Sequence, residues 1–208
     1  MEGKTLQFII DHEGEDVTRF ILSPAKYPGV EIPLAARCIE ARKKIKGKIP
    51  AFYAEPSLLY PDTLALEQCS SQASAEYKSR LIPEGATVAD LTGGLGVDSY
   101  FLSRRASKLT YYERKPHLAE AAQENFRTLG AMNIDCHTAE LTLEKIQSPD
   151  FPSYDIIFLD PARRDKMGGR VYSIADCEPN LTLWRTPLLA KANTILAKVS
   201  PMADISQI

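Results

Sequence analysis

From residue 86 onward the sequence alternates between short apolar runs and amphipathic segments, and this alternation constrains the fold more than any other feature. Strands joined by helices in this order form a parallel sheet, because a helical crossover returns the chain to the edge where the next strand begins. The fourth run is apolar enough to be buried on both faces, as parallel strands usually are. The pattern predicts an α/β fold with a doubly wound, mostly parallel sheet, and its strands are expected at residues 86–91, 108–113, 134–138, 154–160 and 194–199.

The helices between these strands are predicted at residues 98–106, 116–129, 141–147 and 181–192. The second is the clearest, because its apolar residues recur at a spacing that places them on one face. Gly130 follows it directly, where a glycine ends a helix well because it tolerates left-handed backbone. The inward face is expected to be Leu118, Ala121, Ala122, Phe126 and Leu129.

Before residue 81 the pattern is different, with helical signals that prolines interrupt. We expect a short helix at 15–22, a longer helix beginning near Pro33, and an irregular connector at 50–61, where three prolines occur. Ser71 is a suitable N-cap for a further helix ending near residue 81. The chain is therefore divided into a small, mainly helical N-terminal region, 1–80, and a core, 81–208. The last N-terminal helix is expected to face inward through Ala73, Tyr77 and Leu81.

The overall composition excludes several classes of protein. The net charge of −2 over 208 residues gives no support for nucleic-acid binding through global basicity. The four cysteines show no metal-ligand or redox spacing, so no metal site is expected and a reducing, cytoplasmic location is the default. The chain begins without a signal-peptide pattern and holds no apolar stretch long enough to cross a bilayer, so we expect no membrane association.

A glycine-rich turn, Asp90-Leu-Thr-Gly-Gly-Leu-Gly96, follows the first predicted strand. Ligands bind at the carboxyl ends of strands in such sheets, and glycines there let the backbone approach a ligand closely. The dinucleotide fingerprint fits poorly, since Ser99 stands where its third glycine belongs, and the lysine of a P-loop is absent. Asp90 would repel a pyrophosphate but suits a ligand with sulfonium and ammonium groups. The alternative is a tight turn that binds nothing.

Glu113 ends the second predicted strand, 23 residues after Asp90. A carboxylate at this place in the sheet accepts hydrogen bonds from both hydroxyls of a ribose. The alternative is a solvated glutamate at a strand end.

The fourth strand closes with Asp160-Pro-Ala-Arg-Arg164. Asp160 and Pro161 would form a rigid lip rich in acceptors, which orients an amine donor for attack on a methyl group. Arg163 and Arg164 would hold substrate phosphates through paired hydrogen bonds. Residues 165–170 are expected to form a lid over the substrate. The alternative is a proline-ended strand with surface arginines.

Taken in this order, the three sites resemble those of class I S-adenosylmethionine-dependent methyltransferases, which have a Rossmann-like fold. The resemblance covers residues 86–199, with Thr92 in place of the first motif glycine, a change frequent among RNA methyltransferases. It implies S-adenosyl-L-methionine as cofactor, a catalytic role for Asp160, Pro161 and Arg163, and an adenine contact from Glu140. The implied cofactor-binding residues are Asp90, Thr92, Gly93, Gly94, Gly96, Val97, Asp98, Glu113, Arg114 and Glu140.

A narrower resemblance begins before the core. The segments LALEQCSSQASAEYKSRL and DLTGGLGVDSYFL look like those of bacterial methyltransferases that carry a THUMP-like domain after the core. Those relatives are longer, so we expect the core to be truncated at its C-terminus. In them the segment before the first strand often packs over the cofactor. The resemblance therefore adds Ser71 and Gln72, with Gln68 and Ser70, as candidate contacts; the alternative is a capped helix start.

The expected acceptor is a base nitrogen of RNA. DPAR also resembles the strand-four motif of RNA uracil-5-methyltransferases, but their cysteine nucleophile is missing near Val199-Ser200-Pro201. The basic stretch 37–48, with six positive charges and one negative, would grip a phosphate backbone or else be a solvated helix face. A methyltransferase of a small molecule or protein, or a non-catalytic nucleotide-binding module, remains open. Trp184 and the pair Tyr111-Tyr112 are expected to be packing residues.

Overall fold

A five-stranded, fully parallel sheet forms the centre of the protein, in a computed structural model that describes residues 1–163 and 177–199. Its strand order is β3-β2-β1-β4-β7, so the predicted doubly wound α/β fold is confirmed. Two short strands, β5 and β6, pair antiparallel outside this sheet and had no sequence signal. The strands are β1 Thr87–Asp90, β2 Lys108–Glu113, β3 Ile134–Thr138, β4 Tyr154–Leu159, β5 Ala162–Arg163, β6 Cys177–Glu178 and β7 Ala192–Ala197.

The order of the strands reverses between β1 and β4. The chain moves outward from β1 through β2 to β3, and then returns to the other side of β1 with β4. Asp90, the last residue of β1, lies beside Phe158 of β4 and Tyr111 of β2. At such a switch point the connecting loops separate in opposite directions, which leaves a crevice outside the carboxyl ends of the strands.

The helices cover the sheet and form the N-terminal region. Gly130, with φ of +73°, ends α8 as its sequence predicts. The helices are α1 Gly3–Asp11, α2 Thr18–Ile21, α3 Ile32–Lys48, α4 Pro50–Tyr53, α5 Thr63–Gln68, α6 Gln72–Ser79, α7 Val97–Ser103, α8 Pro116–Thr128, α9 Leu143–Gln147 and α10 Leu181–Leu189.

Three expectations about the N-terminal region were wrong in detail. Residues 50–61 are not wholly irregular, because Pro50 occupies the first turn of α4, where its missing N–H costs nothing. Helices α1 and α5 had not been predicted. Helix α6 begins after Ser71 as expected, but it does not face inward through Ala73, Tyr77 and Leu81, which are exposed. The buried residues of α6 are Ala75, Lys78 and Ser79.

One continuous hydrophobic core joins the N-terminal helices to the sheet. It runs from Ile9 and Ile39 through Phe52 to Val88 and Phe101, all of which are almost fully buried. The division at residue 80 therefore remains a prediction about domains, while the packing is shared. Within residues 1–163 and 177–199, none of the helices is both long enough and apolar enough to cross a lipid bilayer.

Asn125 of α8 provides a polar link within this shared packing. Its side chain accepts a hydrogen bond from the Leu59 amide at 2.7 Å and donates one to the Leu59 carbonyl at 2.9 Å. We expect Asn125→Ala to lower the free energy of unfolding by about 2–3 kcal/mol, because the amide and the carbonyl of the half-buried Leu59 both lose their partner. Urea denaturation measures this. Gln123→Ala, at an exposed position of the same helix, is the control and should stay within ~0.5 kcal/mol of wild type; an equally small change in Asn125→Ala would contradict the prediction.

Candidate functional site

A cavity of about 320 Å³ lies in the crevice at the carboxyl ends of β1, β2 and β4. Its volume is in the range of small-molecule sites, which is roughly 300–1,000 Å³. The turn after β1 and the ends of the two neighbouring strands form its floor. Trp184 of α10 lines it from outside the sheet, together with five residues of the N-terminal region, Leu64, Ala65, Gln68, Cys69 and Ser70. The N-terminal region therefore contributes directly to the site.

The glycines of the turn have two different roles. A Cβ atom on Gly93 would lie 2.1 Å from the Tyr111 ring, and one on Gly96 would lie 2.4 Å from the Phe126 ring. These two glycines allow the turn to pack against the sheet and α8. Gly94, with φ of +55°, would meet only the Thr92 carbonyl at 3.9 Å, so the backbone there is open to the cavity. A ligand can therefore approach the turn closely at Gly94.

Asp90 organises the turn from inside. Only 1% of the residue is exposed, and its carboxylate accepts hydrogen bonds from the Ser99 hydroxyl at 2.5 Å and the Thr92 amide at 2.9 Å. Burial, with a smaller contribution from the nearby carboxylates of Asp98 and Asp160, raises the pKa of this carboxyl to about 7, although the two hydrogen bonds lower it. The fold therefore disfavours the charged form of Asp90, which lies near the Asp98 carboxylate.

Glu113 bridges the end of β2 and the glycine turn. One carboxylate oxygen accepts a hydrogen bond from the Gly94 amide at 2.9 Å, and the other accepts from the Lys115 amide at 2.8 Å. Each carboxylate oxygen keeps a free lone pair, since a carboxylate accepts about four hydrogen bonds. The structure thus brings the side chain of Glu113 and the turn that follows Asp90 into one cavity.

Asp160 closes the site at the end of β4. Its amide donates to the Thr92 hydroxyl at 2.7 Å, so the residue that replaces the usual glycine connects the turn to β4. Its carboxylate accepts from the Lys198 ammonium at 2.5 Å. Burial raises the pKa of Asp160, and the Lys198 ammonium opposes that rise. Asp160 is therefore held in place from two sides.

Most of the residues predicted for the site line this cavity. Gly96 and Pro161 are not among its lining residues. For Arg163 only the backbone, in β5, is described, and Arg164 with the predicted lid at 165–170 lies outside the described residues. The predicted residues that line the cavity are Asp90, Thr92, Gly93, Gly94, Val97, Asp98, Glu113, Arg114, Glu140 and Asp160.

The structure places Ser71 and Gln72 outside the cavity lining. The Ser71 hydroxyl caps α6 by accepting from the Ser74 amide at 3.3 Å, and the Gln72 side chain accepts from the Ala51 amide at 2.8 Å. The preceding residues of the same segment, Gln68, Cys69 and Ser70, line the cavity instead. Of the four candidates in this segment, Gln68 and Ser70 therefore line the cavity, whereas Ser71 and Gln72 do not.

Two contributions to the site had no local signal in the sequence. Trp184, expected to be a packing residue, is half-buried on α10 and lines the cavity. Lys78 of α6 is buried and forms an ion pair with Asp98 at the edge of the cavity. Both were missed because only the tertiary fold brings α10 and α6 to the glycine turn.

The basic stretch 37–48 is largely engaged within the protein. Arg42 is buried against Glu13, with an Nη2 to Oε2 distance of 2.7 Å. Lys44 pairs with Glu67, and Lys48 donates to the backbone carbonyls of Leu66 and Glu67. These contacts favour a structural role for much of this stretch over a grip on a phosphate backbone.

The raised pKa of Asp90 predicts how the stability of the protein depends on pH. A carboxyl group whose pKa rises on folding, here from 3.8 to about 7, stabilises the fold fully below pH 3.8 and loses this effect as the pH rises through about 7. Asp90→Asn keeps both hydrogen bonds without the charge, because the Ser99 hydroxyl can accept instead of donate. We therefore expect the melting temperature of Asp90→Asn to exceed that of wild type by a larger margin at pH 8 than at pH 5. The two margins should differ by several degrees, because each kcal/mol of stability shifts the melting temperature by roughly 2–4 °C. Thermal unfolding at both values measures this, and an equal difference at pH 5 and pH 8 would contradict it.

Comparison with known proteins supports the same fold. The chain is 36% identical to a "putative methyltransferase" from Porphyromonas gingivalis W83 over 96% of its own length and 49% of that chain, with a TM-score of 0.79. Two other solved structures are more distant. A Streptococcus thermophilus rRNA methylase is 16% identical over 58% of this chain and 63% of that chain, with a TM-score of 0.41. An Agrobacterium tumefaciens SAM-dependent methyltransferase is 20% identical over 64% of this chain and 40% of that chain, with a TM-score of 0.42. Neither a protein-family model nor a curated protein matches the chain. The chain thus has a Rossmann-like methyltransferase fold, preceded by a helical region, and spans about half the length of the Porphyromonas protein.

Proposed function

We propose that this protein binds S-adenosylmethionine in the cavity and transfers its methyl group to a base nitrogen of RNA. The observation that carries the proposal is the hydrogen bond from the Gly94 amide to the Glu113 carboxylate, on the open side of the turn after Asp90. It unites a backbone surface that a ligand can approach with a carboxylate that can bind a ribose. The similarity to the 36% identical Porphyromonas protein, named a "putative methyltransferase", supports the activity.

The residues of the cavity fit such a cofactor in three parts. Glu113 would accept hydrogen bonds from the two ribose hydroxyls. The half-buried side chains of Ala139, Leu141 and Trp184 offer an apolar surface for the adenine ring. Asp98 and Asp160 present carboxylates for the amino group and the positive sulfonium end. The cofactor supplies an electrophilic methyl group attached to this sulfonium.

The protein's own residues have mainly to hold the acceptor in line with that methyl group. Asp160 is fixed by the Lys198 ammonium and by the Thr92 hydroxyl, so its carboxylate can accept a hydrogen bond from an amine donor and orient its lone pair. A held geometry of this kind makes a bimolecular step effectively unimolecular, which lowers the barrier substantially.

A nitrogen acceptor fits this site better than a carbon acceptor. Methylation at a ring carbon of a pyrimidine requires a reactive thiolate as nucleophile. Cys69 lines the cavity and is the candidate for this role. Its thiol donates to the Leu66 carbonyl at 3.0 Å, and burial raises its pKa, so the neutral thiol is favoured. Methylation of an exocyclic or ring nitrogen needs no such nucleophile.

The RNA part of the proposal rests on the sequence after β4 and on Trp184. In the sequence, Arg163 and Arg164 follow Asp160 and Pro161, and guanidinium groups are suited to phosphates. Trp184 adds an aromatic surface on which a planar base can stack. A small-molecule or protein acceptor, or a module that binds the nucleotide without transferring a methyl group, is the rival that the experiments below separate.

Titration with S-adenosylhomocysteine tests the cofactor. We expect Glu113→Ala to weaken binding about 10- to 150-fold, because a hydrogen bond to a charged acceptor contributes roughly 1.5–3 kcal/mol. Isothermal calorimetry measures the affinity. Glu120→Ala removes the same side chain at an exposed site on α8 and should leave the affinity unchanged. Intact wild-type protein that gives neither heat nor a thermal shift with this ligand would remove the proposal.

Binding and methylation of RNA test the acceptor. We expect filter binding to total RNA to weaken steeply between about 50 and 200 mM salt, because each phosphate contact releases a counterion. Tritiated methyl transfer should then label RNA in preference to protein or small molecules. Label in protein or small molecules alone would favour the rival acceptors, whereas cofactor binding without any transfer would favour the non-catalytic module.

A further inference from the structure

We propose that Lys78, which the cavity lining does not include, is a positioning residue that sets the Ser70 hydroxyl and the Asp98 carboxylate as the wall of the cavity that receives the amino group of the cofactor. This inference rests on the proposed binding of S-adenosylmethionine. It assigns a role in that site to a residue of the N-terminal region that lies outside the glycine motif.

The contacts of the Lys78 ammonium connect three parts of the chain. The ammonium donates to the Ser70 hydroxyl at 2.8 Å and pairs with one carboxylate oxygen of Asp98. The Ser70 hydroxyl in turn donates to the other Asp98 oxygen at 2.8 Å. The ammonium also lies 5.3 Å from the centre of the Phe158 ring in β4. The segment before α6, the first turn of α7 and the end of β4 are therefore held together by one charged group.

The group of Lys78, Ser70 and Asp98 lies at the wall of the cavity. Ser70 and Asp98 both line the cavity, whereas the Lys78 side chain is only 7% exposed and lies behind them. Among these three residues, Lys78 only donates hydrogen bonds and Asp98 only accepts them. Because a carboxylate accepts about four hydrogen bonds, Asp98 can still accept one from a further donor. A ligand ammonium is the complementary group, since it offers donors only.

The cost of burying Lys78 argues for a role beyond stability. An ammonium and a carboxylate lose their hydration when buried, and replacing such a pair by apolar side chains of similar size is often neutral or stabilising. Asp98 also lies near the carboxylates of Asp90 and Asp160. The ammonium of Lys78 offsets part of the repulsion among these neighbouring carboxylates. The ion pair thus holds the Asp98 carboxylate in place at the cavity wall.

Two ligands separate positioning from general stability. S-Adenosylhomocysteine and 5′-methylthioadenosine share the adenosine and the sulfur, but only the former carries the amino acid end. We expect Lys78→Met to weaken binding of S-adenosylhomocysteine about tenfold or more, while the affinity for 5′-methylthioadenosine changes little. Lys78→Arg should restore most of the ratio between the two affinities, because it keeps the charge and the donors.

The controls make each outcome decisive. Arg80→Met removes a positive charge from the exposed end of the same helix and should leave both affinities unchanged. The inference would be overturned if Lys78→Met lowered the affinities for both ligands equally, so that the ratio of the two affinities did not change. Should Lys78→Met not fold, Ser70→Ala breaks the hydroxyl bridge without unpairing either charge and should still lower the ratio; an unchanged ratio there would overturn the inference as well. Failure of wild type to bind either ligand would instead count against the proposed function.

Discussion

The hydrogen bond between the Gly94 amide and the Glu113 carboxylate is the contact on which the site depends. It forms only because the turn after β1 descends far enough toward β2, and this descent requires that Gly93 has no side chain where the Tyr111 ring lies. The Tyr111 hydroxyl donates to the Gly94 carbonyl at 2.6 Å and fixes the same peptide segment from below. A small residue, an aromatic ring and a strand-end carboxylate together leave one face of the turn open.

Several charged groups lie close together around this turn. Asp90, Asp98 and Asp160 bring three carboxylates to one end of the cavity, and Lys78 and Lys198 face them with two ammonium groups. Burial raises the pKa of Asp90 and of Asp160, which means that the fold disfavours their charged forms. An excess of negative charge is the arrangement that a positively charged ligand would complement, and such sites often reduce stability in exchange for function.

The N-terminal helices are part of this arrangement and not only a cover for the sheet. Their apolar residues belong to the same core as Val88 of β1, and the Asn125 side chain ties the backbone at Leu59 to α8. Because α6 packs beside α7, the segment before it reaches the cavity through Ser70 and Cys69. The geometry of the cavity is therefore coupled to the packing of the N-terminal helices on the sheet.

Elements with local signals could be located from the amino-acid sequence alone. The bounds of β2 and β3, the cap of α6 by Ser71 and the end of α8 at Gly130 followed from apolar runs and end residues, and the places of Asp90 and Glu113 at strand ends followed from them. Which face of α6 is buried depends on the rest of the fold. Lys78 is inside, where it pairs with Asp98, 20 residues later in the chain, and Tyr77 is outside. The tertiary structure likewise brought Trp184 to the cavity. Periodicity identifies apolar faces, but a buried charge depends on a partner that the fold supplies from a distant part of the chain.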